Sequence, residues 1–230
     1  VSRLPKLCLL TSGDEVLAPD QTPDLFQIRG SHPSALKSMI EANHWGHCSH
    51  YHLPDERQTT LATIEQQLLQ NDFLILTGGL SKGKFDYIAP ALNSLLGPPL
   101  FHGVKQRPGK PLGFWKAADG PYVIALPGNP VSVMACASRY LIPALKQHLG
   151  YEYRNQRRTL AAEAPWKAPI PGFLPVRIND QGTLIPSPMQ NSGDYLCLTG
   201  CSGFITCPGG ATSLPQGTEV DYFPFASPTF

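Results

Sequence analysis

Four loops of this 230-residue chain contain glycine or proline, and three of them add charged side chains, as sites that hold phosphate groups often do. They span residues 12–15, 78–86, 107–111 and 127–130. Glycines in the second loop let backbone N–H groups turn towards an anion, and a predicted helix start adds positive potential. In the third, a proline-framed turn carries Arg107 and Lys110, two cations suited to a di-anion. The competing interpretation is structural, since glycine also serves turn geometry and cations occur on solvated turns.

Acidic residues stand at the other predicted strand ends, where their oxygens suit a hard divalent cation. They are Asp14, Glu15, Asp55 and Asp86. Each one alone also fits a surface position, and Asp86 fits a helix N-cap. Their combination favours a cation site.

The elements that would position these loops alternate between strand and helix over residues 1–150. Strands are predicted near residues 7–10, 48–53, 73–76 and 122–126. Helices are predicted after Ser31, from about Thr60, from Asp86 to Gly97, and from Pro130 to Leu149. This order predicts an α/β fold of three αβα layers, with a doubly wound, mostly parallel sheet. Ligands of such folds bind beyond the carboxyl ends of the strands, where the four loops fall.

The last third of the chain has a different pattern. Short strand-like runs between residues 160 and 225 are separated by Pro, Gly, Ser and Asn, and no helical period lasts two turns. This pattern predicts a small all-β domain. We therefore divide the chain into residues 1–152 and residues 153–230.

Composition narrows the classes of function. The net charge of +1 argues against a nucleic-acid partner, and no apolar stretch approaches the ~18 residues of a membrane span.

Cys8, Cys48 and Cys136 lie in apolar segments and are predicted to be buried free thiols, which fits a reducing cytoplasm. The sequence starts with Val-Ser-Arg-Leu-Pro rather than Met, so we expect a fragment of a longer chain.

Two groups of residues resemble metal ligands at first sight. Cys197, Cys201 and Cys207 have C-x3-C and C-x5-C spacings, which match no common zinc pattern. His44 and His47 straddle a helix end, whereas His50 and His52 share one face of a strand. Convergence of these histidines on one ion would need a tetrahedral arrangement that these positions do not favour. We predict surface histidines instead.

Taken together, the four loops resemble the molybdopterin molybdotransferases, the MoeA family that includes the gephyrin E domain. The matching motifs are Ser-Gly-Asp-Glu, Gly-Gly-x-Ser-x-Gly-x-x-Asp-Tyr, Pro-Gly-Lys-Pro and Leu-Pro-Gly-Asn-Pro, in this order. The resemblance extends from about residue 4 to residue 224. It implies a molybdopterin-binding αβα domain like that of the MogA and MoaB proteins, followed by the C-terminal β-rich domain of the family. Family members also carry two N-terminal domains ahead of these.

The resemblance implies that adenylylated molybdopterin and molybdate are substrates, that Mg²⁺ assists adenylate cleavage, and that the full-length form is a homodimer. The implied catalytic residues are Asp14, Glu15, Asp55 and Asp86, with Asp14 and Asp86 as the Mg²⁺ ligands. The implied molybdopterin or phosphate contacts are Gly78, Gly79, Ser81, Gly83, Pro127, Gly128 and Asn129. The implied molybdate contacts are Arg107, Lys110, Pro111, Arg177 and Ser192.

Two single residues and one three-residue segment depart from the family pattern. Lys82 and Lys84 replace an aliphatic and an acidic residue, and Arg29-Gly30-Ser31 replaces Asp-Ser/Thr-Asn. Two additional cations should weaken the binding of a divalent metal and favour anions. The leading interpretation is a transferase that inserts molybdate, which the retention of Asp14, Glu15, Asp86 and Lys110 favours. Lys82 and Lys84 favour a second interpretation, a catalytically degenerate homologue that acts as a binding or scaffold module. A third, a molybdopterin or nucleotide binder of the MogA type, is disfavoured by the β-rich tail.

Overall fold

The chain folds into two compact units, which are not continuous in sequence. The computed structural model describes residues 3–79, 86–116, 120–152 and 154–226. The first unit comprises residues 1–104 and 111–128, and the second comprises residues 105–110 and 129–230. These units follow compactness rather than chain order, so the predicted boundary after residue 152 stays a prediction.

The first unit is built on a six-stranded sheet with the order β4-β1-β5-β8-β7-β6. Strands β4, β1, β5 and β8 are parallel, and β7 runs antiparallel to both β8 and β6. The predicted α/β class with a mostly parallel sheet is confirmed. The elements are β1 (Lys6–Ser12), β2 (Val16–Leu17), β3 (Ile28–Arg29), α1 (His32–Ala42), β4 (His47–Leu53), α2 (Arg57–Gln70), β5 (Phe73–Thr77), α3 (Ile88–Leu96), β6 (Phe101–His102), β7 (Gly113–Lys116) and β8 (Tyr122–Leu126).

Side chains alternate between the two faces of the sheet along each strand, and those on one face form a hydrophobic core of this unit. Leu10, Leu74 and Val123 lie on the face of the sheet that packs against Ile64 of α2 and Leu92 of α3. Every residue of β5 is buried, as predicted for a strand covered on both faces.

Two predicted helix starts in this unit are wrong. Helix α3 begins at Ile88 with Tyr87 in the N-cap position, so Asp86 is not the N-cap of this helix. Helix α2 begins three residues before Thr60, because the Glu56 carboxylate accepts hydrogen bonds from the backbone N–H groups of Gln58 and Thr59. Ser31 does occupy the N-cap position of α1, but its side chain makes no capping hydrogen bond.

The second unit contains the end of the αβα segment and the whole β-rich tail. Its helical part is α4 (Pro130–Cys136), a π-helical turn (Ala137–Leu141) and α5 (Ile142–His148), where the sequence predicts one helix. A five-stranded antiparallel sheet has the order β12-β11-β13-β15-β9, and β10 pairs with β14. The strands are β9 (Gln156–Thr159), β10 (Ala164–Pro165), β11 (Gly172–Ile178), β12 (Leu184–Pro186), β13 (Gly203–Cys207), β14 (Ser213–Leu214) and β15 (Glu219–Pro224), with a 3₁₀ turn at Tyr195–Leu198.

The packing of α4 explains why it groups with the tail. Val131 and Ala135 of this helix are buried against Phe173, Phe204 and Phe223 of the sheet. The predicted all-β character of the tail is confirmed. The first strand, predicted at residues 159–164, is instead β9, which ends at Thr159, and β12 and β14 were not predicted.

All six cysteines are free, and Cys8, Cys48 and Cys136 are buried, as predicted. No helix within the described ranges is both long and apolar enough to cross a membrane.

Candidate functional site

The carboxyl ends of four parallel strands in the first unit lie side by side. Ser12 of β1 is in register with Leu53 of β4, and Thr77 of β5 is in register with both Thr11 of β1 and Leu126 of β8. The residues that follow these ends therefore leave the sheet along one edge. They are Gly13-Asp14-Glu15, Pro54-Asp55, Gly78-Gly79 and Pro127-Gly128.

The glycine turns at this edge approach one another closely. A Cβ added to Gly78 would lie 3.0 Å from the Ser12 hydroxyl oxygen, and one added to Gly128 would lie 3.7 Å from the Gly78 Cα. Gly78 has a φ of +87°, which only glycine adopts readily. Turns from three strands thus form one surface, on which a ligand can approach the backbone.

Acidic side chains gather at the same edge. The Asp55 backbone N–H donates a 3.1 Å hydrogen bond to the Asp14 carboxylate. Partial burial raises the pKa of Asp55 above its usual range, and the negative charges of Asp14 and Glu15 raise it further, partly offset by a hydrogen bond from the Asp14 backbone to the Asp55 carboxylate and by His52. The structure therefore brings together three of the four predicted catalytic carboxylates.

These carboxylates fit a cation only if the substrate supplies further ligands to it. No group of three or more His, Cys, Asp or Glu side chains in the described part of the chain is arranged to hold a metal ion. Mg²⁺ in phosphate-transfer sites is usually bound by one or two carboxylates together with substrate phosphates. Asp14 can supply one such carboxylate to a substrate-completed ion, whereas a cage made only of protein ligands is not present among these residues.

The structure describes only part of the glycine-rich loop, residues 78–86, that carries other predicted site residues. Asp86 lies two residues before α3, while Ser81, Gly83, Lys82 and Lys84 lie outside the described residues. Sequence reasoning missed Thr77, whose buried hydroxyl has no hydrogen-bond partner among the described residues. A threonine that ends an apolar strand directly before Gly-Gly was the available signal.

The histidines of β4 are exposed, as predicted. His50 Nε2 and His52 Nδ1 each lie 3.0 Å from the hydroxyl oxygen of the buried Thr11. Their ring nitrogens are thus engaged with a hydroxyl group, and neither belongs to a metal-binding group within the described ranges.

The predicted cationic turn belongs to the second unit. The Arg107 backbone N–H donates to the Pro171 carbonyl at 3.0 Å, and the Arg107 carbonyl accepts from the Phe173 N–H at 2.8 Å. A Cβ added to Gly172 would lie 1.8 Å from the Arg107 carbonyl oxygen, so only glycine fits there. These contacts fix the main chain of the turn to the start of β11 and leave the Arg107 and Lys110 side chains exposed.

Buried polar groups hold the inner side of this turn. The Gln106 side chain, 5% exposed, donates to the Gly109 carbonyl at 3.1 Å and lies 3.5 Å from the Cys136 sulfur. The Tyr140 hydroxyl donates to the Gln106 side-chain oxygen. Sequence reasoning missed Gln106 and Tyr140, because their positions became adjacent only through the packing of the helix.

Two residues predicted from different motifs meet in the second unit. The Asn129 side-chain amide donates a 2.7 Å hydrogen bond to the Ser192 hydroxyl, and the Val131 N–H donates to the Ser192 carbonyl at 3.2 Å. The cationic turn reaches the same part of α4, since a Cβ added to Gly109 would lie 3.9 Å from the Ser132 carbonyl oxygen. Ser192 and the turn therefore share the first turn of α4.

A family model described as a probable molybdopterin binding domain matches residues 8–147. The chain belongs to this family. Among its relatives is the molybdopterin molybdenumtransferase of Synechocystis, 29% identical over 98% of this chain and 56% of the relative. That of Synechococcus elongatus is 32% identical over 96% of this chain and 55% of the relative. The chain thus spans about half the length of the curated relatives it matches.

The fold agrees with that of a solved relative. The molybdopterin biosynthesis MoeA protein from Pyrococcus horikosii has a TM-score of 0.81 at 24% identity, covering 98% of this chain and 55% of that chain. The predicted MoeA family resemblance is confirmed. The specific reaction and the site residues remain matters of proposal.

The structure does not bring every predicted molybdate contact of this family member together. Arg107 pairs with Gly172 at the start of β11, whereas Arg177 lies near the end of that strand. Five residues of extended strand span about 16 Å, so the two guanidinium groups start from well-separated positions.

Proposed function

We propose that this chain binds molybdopterin and takes part in the insertion of molybdate into its adenylylated form. The observation that carries the proposal is the shared edge of β4, β1, β5 and β8, where glycine turns and three carboxylates meet. The names of the relatives, molybdopterin molybdenumtransferases, support the same reaction. Because the chain covers only about half of their length, the activity of the whole enzyme belongs to this proposal.

In the first unit, we assign the pterin phosphate to the glycine turns. Backbone N–H groups of Gly78 and Gly79, together with Ser81 and Gly83, are the proposed donors, with Pro127 and Gly128 as further proposed contacts. Asn129 is also a proposed phosphate contact, but it belongs to the second unit. Small turns at the carboxyl ends of parallel strands allow a phosphate to approach the main chain without steric conflict.

The carboxylates are the proposed acid–base groups. The raised pKa of Asp55 makes it a stronger base than an ordinary aspartate, so it is the group that we expect to orient or deprotonate the attacking water. Asp14 and Asp86 are the proposed Mg²⁺ ligands, and Glu15 adds negative charge beside them. The ion, when bound with the substrate, supplies charge neutralisation of the phosphates.

In the second unit, the proposed molybdate contacts are cations and a hydroxyl. Arg107 and Lys110 on the fixed turn, and Ser192 held by Asn129, are exposed or half-buried groups around the start of α4. Cations and hydroxyl donors of this kind stabilise a tetrahedral oxyanion. Arg177 remains a proposed contact that would need to reach from the other end of β11.

Calorimetric titration with adenylylated molybdopterin, then with molybdate and Mg²⁺, tests the proposal. The chain should bind the pterin, and Asp14→Asn should weaken Mg²⁺ uptake in the ternary mixture without loss of fold. Asp20→Asn, on the exposed loop after β2, is the matched control.

Three outcomes separate the interpretations. Binding of pterin and molybdate with slow release of AMP supports the transferase. Pterin binding without molybdate or Mg²⁺ uptake supports the degenerate binding module. Absence of pterin binding overturns the proposal.

A further inference from the structure

The cationic turn of the second unit has an inner side that the proposed chemistry does not explain. Gln106, Pro108 and Gly109 are buried, whereas Arg107 and Lys110 are exposed. A buried glutamine is unusual, because an amide group removed from water needs hydrogen-bond partners inside the protein.

Three of the four hydrogen-bonding positions of this amide are occupied. The Gln106 nitrogen donates to the Gly109 carbonyl and approaches the Cys136 sulfur, while the oxygen accepts from the Tyr140 hydroxyl. The reverse orientation of the amide would place its oxygen against the Gly109 carbonyl oxygen, two acceptors in contact. The network therefore fixes which end of the amide faces the turn.

The Gly109 carbonyl is held by a second donor as well. The Cys136 thiol lies 3.8 Å from it, and burial raises the pKa of Cys136 to about 12, so the thiol keeps its proton. A Cβ added to Gly109 would lie 2.4 Å from the Cys136 sulfur, which shows how closely the turn approaches the helix. Cys136 directly precedes the π-helical turn and Tyr140 lies within it, and such turns are often found at functional sites.

The contacts of the Gly109 carbonyl also set the direction of the N–H group in the same peptide, which belongs to Lys110. In a trans peptide the C=O and N–H bonds point in opposite directions. The Gly109 carbonyl points inward to Gln106, so the Lys110 N–H of the same peptide points away from the buried amide, to the side on which Lys110 and Arg107 are exposed.

We infer that Gln106, oriented by Tyr140, is a positioning residue that turns the Lys110 backbone N–H towards a bound oxyanion. The ligand class is a tetrahedral di-anion, which free molybdate or a phosphate group would satisfy. The inference rests on the proposed function for the identity of that anion, but the orientation of the peptide is testable without it.

The first experiment measures anion affinity. Gln106→Leu should weaken the binding of molybdate and of inorganic phosphate, titrated separately, by about tenfold, the equivalent of one hydrogen bond to a charged group. Tyr140→Phe, the milder change, should weaken it about threefold, since Gln106 keeps its place but loses its orienting donor. The matched controls are Gln67→Leu, at a glutamine that is 4% exposed, and Tyr222→Phe, whose hydroxyl donates to the Ser202 carbonyl; neither should change anion affinity.

A pH profile separates positioning from packing. In Gln106→Glu the carboxylate cannot donate to the Gly109 carbonyl, but its protonated form can, and burial raises the pKa of such a group. Sulfate keeps the same charge from about pH 5 to pH 8, so it is the probe here. Its affinity for this variant should be higher at about pH 5 than at pH 8, and this ratio of affinities should be larger than the same ratio for the wild-type chain. An equal pH dependence in the two proteins would overturn the inference.

The second experiment follows the Lys110 amide in ¹⁵N–¹H spectra. Without any anion, Gln106→Leu and Tyr140→Phe should each shift this signal, and added phosphate should move it less than in the wild-type chain. A Lys110 signal unchanged by both variants overturns the inference. Failure of the wild-type chain to bind molybdate or phosphate overturns the proposed function instead. In that case, the shift of the Lys110 signal in the two variants, measured without any anion, still tests whether Gln106 and Tyr140 orient this peptide.

Discussion

The two candidate sites differ in what assembles them, although each combines a turn with charged side chains. In the first unit, Asp14, Asp55 and Gly78 are brought to one edge because parallel strands end in register. In the second unit, Arg107 is bonded to residues 171 and 173, Gln106 to Tyr140, and Asn129 to Ser192, all of them specific contacts between distant segments. The topology of a parallel sheet therefore builds the first site, whereas individual hydrogen bonds build the second.

This difference predicts where each site is sensitive to substitution. Changes to the acidic edge should alter ligand binding with little effect on stability, because the strands hold the edge without help from those side chains. Changes beneath the cationic turn should affect stability and binding together.

The largest effect is expected at Gly172. Gly172→Ala would place a methyl group 1.8 Å from the Arg107 carbonyl oxygen, so the turn or the start of β11 must move. We expect a loss of about 2–4 kcal/mol of unfolding free energy. Denaturant unfolding measures it.

The control for this change is a glycine at the edge of the first unit. Gly128→Ala adds a methyl group 3.7 Å from the Gly78 Cα, an ordinary contact, and should alter stability by less than about 0.5 kcal/mol. Equal losses for the two variants would remove the distinction between the sites.

The next effect concerns the exposed cation itself. Lys110→Ala should weaken phosphate or molybdate binding by roughly 1.5–3 kcal/mol, the range for hydrogen bonds to charged groups, while the unfolding free energy stays nearly unchanged. Calorimetric titration checks the affinity. Lys167→Ala, at an exposed lysine of the same unit, is the control, and an unaltered affinity in Lys110→Ala would show that the anion lies elsewhere.

A smaller effect should appear between Asn129 and Ser192. Their 2.7 Å hydrogen bond joins half-exposed or exposed groups, so a double-mutant cycle with alanine at each position should give a coupling of about 0.5–1 kcal/mol in unfolding free energy. A coupling near zero would mean that the bond does not hold the Ser192 loop on α4.

The smallest effect is the pH dependence at Asp55. Its pKa is raised in the folded chain, so the charged form is disfavoured there relative to the unfolded chain. The cost in stability is complete above the folded pKa and fades as the pH falls to the unfolded pKa. Asp55→Asn should therefore stabilise the protein at neutral pH, by less than about 1 kcal/mol after solvent screening, and should have no effect once pH falls below the unfolded value.

Unfolding curves at several pH values test this, with Asp20→Asn as the matched control. A stabilisation that persists in acid would show that the charge at Asp55 is not its cause.

Much of the first unit could be predicted from local sequence. Phe73–Thr77 is an uninterrupted apolar run, and the Gly-Gly that follows it places a turn at the strand end, so the edge that carries Asp14 and Asp55 followed from the predicted order of strands. The errors there were local as well. Asp86 was predicted as the N-cap, but the helix begins after Tyr87, and the Glu56 carboxylate starts α2 earlier than its apolar pattern indicated.

The second unit shows what sequence alone left open. The proline-framed turn singled out Arg107 and Lys110, because two cations suit an anion, whereas the family resemblance implied Asn129 and Ser192. Neither gave any sign that Gln106 is buried beneath Tyr140, that Arg107 is bonded to the start of β11, or that this strand separates Arg107 from Arg177. Sequence determined the residue types, the class of fold and the strand ends, since these depend on local periodicity and turn chemistry. Only the tertiary structure decided which of the charged residues share a surface. Hydrogen bonds between segments tens of residues apart produce no repeating pattern in the sequence from which they could be predicted.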